Sequence, residues 1–228
     1  MVPYGLSGMG VNINNFDSKL IVISDWPSRC VLIARTELIL VRAANMEQLR
    51  KSVKLNMGCG NKQKTGFFGV DAYWCGAVDV MADLTKQLPF KTSSIDEIYL
   101  DNVIEHVFDI SALMREIHRI CIDKSKVVIV TPHFASADSW RDPTHVHHLS
   151  YFSMDHFQRQ SVAHYTGGGF EVARRNLSFG GILGNIGRLI FSISPRLYEN
   201  TWCFIFRPGT LRFELTVVKS VMGKQAHP

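Results

Sequence analysis

The sequence predicts an α/β domain on a mostly parallel sheet of about seven strands, with the last strand antiparallel. Three observations carry this. Short β-rich runs recur from residue 53 onward, each closing on Gly, Asp, Asn or Pro. An amphipathic helix separates two of them, and strands that alternate with helical connections favour parallel pairing beneath covering layers. With 228 residues, the chain can bury roughly 70% of its open-chain surface, enough for one good core.

Hydrophobic residues make up 46% and charged residues 20%, which excludes disorder of the whole chain. The apolar run from Val31 to Ala44 is broken by Arg35, Glu37 and Arg42, so it does not supply the ~20 clean residues of a membrane span. Met1 to Gly5 lacks a basic n-region followed by an apolar stretch, and a cytoplasmic location is expected. The five cysteines form no CxxC pair and read as reduced thiols. Residues 165–228 hold eight Lys/Arg and three Asp/Glu, and therefore the whole net charge of +5. These basic residues are spaced singly, which does not describe a nucleic-acid patch.

The first 45 residues read as an appendage. Gly5, Gly8, Gly10 and the Asn-rich stretch to Asn15 suggest loop, with strands at Leu20–Ser24 and Cys30–Leu40. A short charged segment, Glu47 to Lys54, follows. The domain proper is expected over 46–228, with strands at Lys54–Met57, Phe67–Asp71, Val78–Ala82, Ile95–Leu100 and Val127–Thr131. Ser111 suits an N-cap, and Leu113, Ile117, Ile120 and Cys121 fall at i, i+4, i+7 and i+8 on one helical stripe. Strands at Phe170–Phe179 and Leu211–Val218 close the chain, on either side of an insertion over about 180–208.

Leu55-Asn56-Met57-Gly58-Cys59-Gly60-Asn61 is an apolar strand that runs into a Gly-x-Gly turn. Glycine suits a turn that visits positive φ and lets a nucleotide-like ligand lie against the backbone. Asp71 ends the next run, thirteen residues after Gly58, where its carboxylate can accept from both ribose hydroxyls. Asp83 ends the third run, where it can accept from an adenine amino group. Together they describe a nucleoside site. A nicotinamide site fits less well, because Gln63 stands at the third Gly of Gly-x-Gly-x-x-Gly and Asp71 arrives early.

With Leu88-Pro89-Phe90, Ser94-Ile95-Asp96-Glu97-Ile98, Glu105-His106 and Arg115-Glu116-Ile117-His118-Arg119-Ile120 added, the series resembles the class I S-adenosylmethionine-dependent methyltransferases, in particular the small type 11-like members. The resemblance spans residue 53 to about 132 and implies a Rossmann-like, doubly wound sheet with S-adenosylmethionine as cofactor. It implies that Gly58, Cys59 and Gly60 pass the methionine and ribose part, that Asp71 holds the ribose, and that Asp83 with Leu84 borders the adenine. Asn102 would face the methionyl end. Asn56 stands where the family often carries an acid for the cofactor's amino group. The stretch from Gly58 to Phe67 is too short for a full crossover helix.

Six of the nine histidines lie between residues 133 and 164. His133 follows the fifth strand, beside the crevice in which doubly wound folds bind ligands, and Trp140 to His148 forms a loop suited to roof an acceptor pocket. Either His133 or His145 is the expected base that takes the acceptor's proton. The alternative is a metal site of His145, His147 and Asp142. No Asn-Pro-Pro-Tyr segment occurs, which argues against an adenine methyltransferase. The Asp/His/Arg-rich loop suits O-methylation of a hydroxylated acceptor, such as a sugar of a glycan or nucleotide-sugar. A cofactor-binding protein without transfer activity and a His-ligated metalloenzyme are the competing readings. Residues 186–207 interleave aliphatic and aromatic residues with Arg188, Arg196 and Arg207, a pattern compatible with peripheral contact to an anionic membrane.

Overall fold

A computed structural model describes residues 22–25, 29–32, 52–158 and 169–219. The chain forms two compact units, Met1–Gln48 and Leu49–Pro228. In the first unit, β1 (Val22–Asp25) and β2 (Arg29–Leu32) pair as an antiparallel hairpin, with Val22 opposite Leu32 and Asp25 opposite Arg29. The loop expected over 5–15, the continuation of the second strand beyond Leu32 and most of the charged segment before residue 52 lie outside the described residues.

The second unit is built on seven strands: β3 (Lys54–Met57), β4 (Phe68–Asp71), β5 (Val80–Met81), β6 (Ile95–Asp101), β7 (Cys121–Pro132), β8 (Phe170–Leu177) and β9 (Thr210–Val217). Their spatial order is β5-β4-β3-β6-β7-β9-β8. The pairs from β5 to β7 are parallel, and β9 runs antiparallel to both of its neighbours. As the sequence predicts, the sheet is mostly parallel and its last strand is reversed. The connection over 58–67 carries no helix, in keeping with its length, and 72–79 and 82–94 are likewise loops.

The β6–β7 connection is helical, through α1 (Ile110–Ile120). Its cap is Asp109 rather than Ser111: Asp109 Oδ1 accepts from the Ala112 amide at 2.8 Å, which starts the helix two residues earlier than the sequence suggests. Leu113, Met114, Ile117 and Ile120 are buried in one core with Leu55, Met57, Ile98, Leu100, Val127 and Ile129. Each such side chain contributes about 1.5–3 kcal/mol through the water-exposed area it removes. Arg119 clasps the helix to the preceding loop, donating to both Glu116 oxygens and to the Leu88 and Phe90 carbonyls.

β7 starts at Cys121, immediately after the helix and six residues before the expected Val127. Asp123, Lys124, Ser125 and Lys126 hide that first half from a hydrophobicity reading, and Lys124 adopts φ +62° there. Beyond β7, α2 (Asp138–Arg141) opens the histidine-rich loop. Between β8 and β9 come α3 (Gly181–Ile193), a short turn at Pro195–Leu197 and a π-helical turn at Tyr198–Trp202. Among the described residues, no helix is long and apolar enough to cross a membrane.

Candidate active site

Because β5, β4, β3 and β6 are parallel neighbours, their carboxyl ends share one edge of the sheet. That edge brings together the Gly58 turn, Asp71, Asp83 with Leu84, and Asn102, and the Ala82 amide donates to the Asp71 carbonyl at 2.9 Å. In open α/β sheets this is where ligands bind. His133 extends the row from the end of the adjacent β7.

The two glycines of the turn serve different ends. Gly58 sits at φ +64°, and a Cβ there would lie 2.4 Å from Val103 Cγ2. Only glycine allows that turn to pack beneath the segment following β6. Gly60, at φ +50°, has no atom within 4 Å of the place a Cβ would take. The backbone there faces open space, as a ligand lying against it requires. The Gly60 amide donates to Asp71 Oδ2 at 2.9 Å, which ties the turn to the second strand end, while Asp71 Oδ1 accepts from the Tyr73 amide.

Asp83 accepts from the Thr85 amide at 2.9 Å and the Thr85 hydroxyl at 2.6 Å, and Lys86 lies 3.1 Å away. The Thr85 hydroxyl and amide, ahead of Lys86, hold its carboxyl below the usual range. Asn102 takes φ +54° and donates to its neighbour Asp101, whose other oxygen stands 3.9 Å from Lys62 Nζ. Asn56 is buried and donates to the Lys62 carbonyl at 3.0 Å, so it fixes the loop that carries Lys62. Cys59 points inward toward the Ala77 carbonyl, and burial, reinforced by Asp71, pushes its thiol up to about 11. Its backbone, not its sulfur, belongs to the turn.

A second cluster stands over the ends of β6 and β7. The Val146 and His147 amides both donate to the Glu105 carbonyl, and the Phe134 amide donates to the Leu149 carbonyl, so the histidine-rich loop folds back over the site. His145 is thereby set edge-on against His106 at 4.6 Å between ring centres. His145 Nδ1 lies 2.9 Å from the Ser139 carbonyl, which only accepts, so Nδ1 carries the proton in the neutral ring and Nε2 keeps the lone pair. That Nε2 is 4.0 Å from Glu105 Oε1 and 4.0 Å from Asp142 Oδ2.

Glu105 is 1% exposed. Its Oε2 accepts from the Thr131 hydroxyl at 3.0 Å, whereas Oε1 has no hydrogen-bond partner among the described residues. Burial pushes its carboxyl up, only partly opposed by hydrogen bonding and the two imidazoles. The ligand atoms of Glu105, His106 and His145 lie within 4.8 Å of one another, a set able to hold a metal ion.

His147 is not part of that set. Its Nε2 bonds the Phe108 carbonyl at 3.0 Å, so the geometry replaces the His145–His147–Asp142 grouping with Glu105, His106 and His145. His133 also departs from the role expected of a base. It is fully buried, its Nδ1 accepts from the Ala135 amide at 3.0 Å, and its Nε2 is 2.8 Å from Glu199 Oε1. With both nitrogens engaged, His133 has no lone pair for a substrate and fastens β7 to the π-helical turn. Glu105 stands out in the sequence only within the Glu105-His106 pair of the family pattern and not as a candidate ligand; a carboxylate set between Val103-Ile104 and Val107 is the signal that marks it as buried.

S-adenosylmethionine fits this edge: open space lies over Gly60, Asp71 and Asp83 supply acceptors, and charged Lys62 and Asp101 lie at the Asn102 end. Residues 60–129 match the model of a type 11 methyltransferase domain. No curated protein matches the chain. Among solved structures, an S-adenosylmethionine-dependent methyltransferase from Archaeoglobus fulgidus is 17% identical, with 72% of this chain and 86% of that one covered, at a TM-score of 0.50. One from Mesorhizobium loti is 17% identical over 72% and 90%, at 0.43. The [4+2]-cyclase SpnF is 13% identical over 75% and 76%, at 0.48. At such identities the likeness is one of fold. Family match and strand-end geometry agree over the same stretch: residues 60–129 match a type 11 methyltransferase domain, the sheet they belong to has the fold of S-adenosylmethionine-dependent methyltransferases, and the cofactor this supports is S-adenosylmethionine.

Proposed function

We propose that the protein methylates an oxygen of a hydroxylated acceptor, a small molecule or glycan such as a sugar of a glycan or nucleotide-sugar, with His145 as the base. S-adenosylmethionine, when bound, supplies a methyl group already activated on a sulfonium. What remains for the chain is to bind, align and deprotonate. Gly58 lets the turn pack against Val103, Gly60 leaves room along the backbone, Asp71 offers its carboxylate to the ribose, Asp83 and Leu84 border the adenine, and Asn102 with Asn56 shapes the methionyl end. His145 Nε2 would take the proton of the acceptor hydroxyl as that oxygen receives the methyl group the bound cofactor would supply. The carrying observation is the His145 tautomer, fixed by the Ser139 carbonyl, with its free nitrogen facing Glu105 in a loop folded over the crevice. Polar side chains in that loop support a hydroxylated acceptor, and singly spaced basic residues support one that is not a nucleic acid.

The test is methyl transfer from labelled S-adenosylmethionine to a panel of sugars and nucleotide-sugars, with wild type and His145→Ala compared. Transfer to a hydroxylated acceptor, lost on substitution while S-adenosylhomocysteine still binds, is expected. Transfer unaffected by the substitution would overturn the assignment of the base, and cofactor binding without transfer to any acceptor would favour a binding protein.

A second reading is favoured by the unpartnered Glu105 Oε1: a divalent transition cation on Glu105, His106 and His145 that polarises the acceptor hydroxyl. There the His145 lone pair is a ligand and not a base. Metal analysis of the purified protein and activity after chelation separate the two readings.

A further inference from the structure

The helix α3 is apolar on two sides. Gly184 and Gly187 are its fully buried positions, a Cβ on Gly187 would come within 2.9 Å of Phe206, and Ile190 and Phe191 pack against the core beside them. Four other aliphatics face away: Ile182, Ile186, Leu189 and Ile193 recur at i, i+4, i+7 and i+11, a single stripe on the side opposite the glycines. Ile182 is 84% exposed, Leu189 65% and Ile193 76%. Phe204 at 62% and Ile205 at 60% continue the patch beyond the π-helical turn. An apolar surface of this kind marks a binding face.

Charge identifies what it binds. Arg188, Arg196 and Arg207, in the same segment, are all exposed, Arg196 with its guanidinium 5.7 Å from the Phe152 ring centre. Over residues 180–208 the one acidic residue is Glu199, and it is turned inward onto His133 and the Tyr151 amide. The outward side of this segment is therefore apolar and cationic, with no exposed carboxylate of its own to balance the arginines. A second copy of the chain would set these arginines against their own kind, whereas an anionic lipid surface meets both features at once. The patch also adjoins the site, because Phe204 packs edge-on to Phe134 at 5.7 Å, beside His133.

We propose that α3 and the segment up to Arg207 dock the protein peripherally on an anionic membrane, with the aliphatic stripe among the headgroups and the arginines on lipid phosphates. The inference does not depend on the acceptor or on the His145 assignment. The test uses the full chain and sedimentation with vesicles of phosphatidylcholine alone or with one quarter phosphatidylglycerol. Binding should appear with the anionic vesicles, weaken steeply with added salt, and fall at least tenfold in Ile186→Asp/Leu189→Asp. Arg188→Gln/Arg196→Gln should lower it severalfold, and since its side chains are exposed, an unchanged unfolding midpoint should show that it folds. No lipid-dependent sedimentation, equal binding to neutral vesicles, or an ultracentrifugation profile in which the aspartate pair converts a dimer to a monomer would overturn the proposal.

Discussion

Gly58 and Gly60 share a turn and a left-handed backbone, but the surroundings of their missing side chains separate fold from function. An alanine at either position carries a conformational penalty of about 1–2 kcal/mol. At Gly58 the new methyl would meet Val103 Cγ2 at 2.4 Å and Cγ1 at 2.9 Å, so Val103 has to retreat by about 1 Å from a packed site. Overpacking of this kind costs about 1–3 kcal/mol more, and Gly58→Ala should therefore lose about 2–5 kcal/mol in urea unfolding. Val103→Ala in the same chain should recover part of the loss, with coupling of about 1–3 kcal/mol in a double-mutant cycle. At Gly60 nothing lies within 4 Å, and Gly60→Ala should lose only the backbone penalty. Its methyl enters the space assigned to the cofactor, so calorimetric titration with S-adenosylhomocysteine should show at least a ~10-fold weaker complex, about 1.4 kcal/mol. A folded Gly60→Ala protein that binds like wild type would refute this use of the turn.

Further outcomes follow from the packing and the charges. Ile117→Ala, wholly buried on α1, should lower stability by about 2–5 kcal/mol at an unchanged urea m-value. Burial alone would raise the Glu116 carboxyl, but Arg119 and the Leu88 amide outweigh it and hold it below the usual range. A depressed carboxyl stabilises the fold above its unfolded pKa of about 4.3 and loses that contribution as pH falls through the folded value. The deficit of Glu116→Gln should therefore be full at pH 7 and vanish in strong acid, as read from unfolding midpoints across pH. With its thiol pushed up to about 11, Cys59 should resist alkylation in the native protein at pH 8, which peptide mass spectrometry reads directly.

Much of this was legible because the signals are local. The Gly-x-Gly turn, the aspartates at successive strand ends and the Leu113–Ile117–Ile120 stripe all lie within windows where period and turn chemistry speak. What escaped depends on distance or on competition between equals. Asp109 and Ser111 are both good caps, and the folded backbone decides between them. His133 looks like a catalytic histidine until Glu199, 66 residues further along, takes its Nε2. Glu105, His106 and His145 meet only because the Glu105 carbonyl accepts two amides of a loop forty residues away, a pairing without a sequence signature.

The cofactor edge is tested most directly by a crystal structure grown with S-adenosylhomocysteine. The ligand should lie along Gly58–Gly60 with both ribose hydroxyls on the Asp71 carboxylate and the adenine beside Asp83 and Leu84. A ligand bound anywhere else, or a ribose with no contact to Asp71, would contradict it.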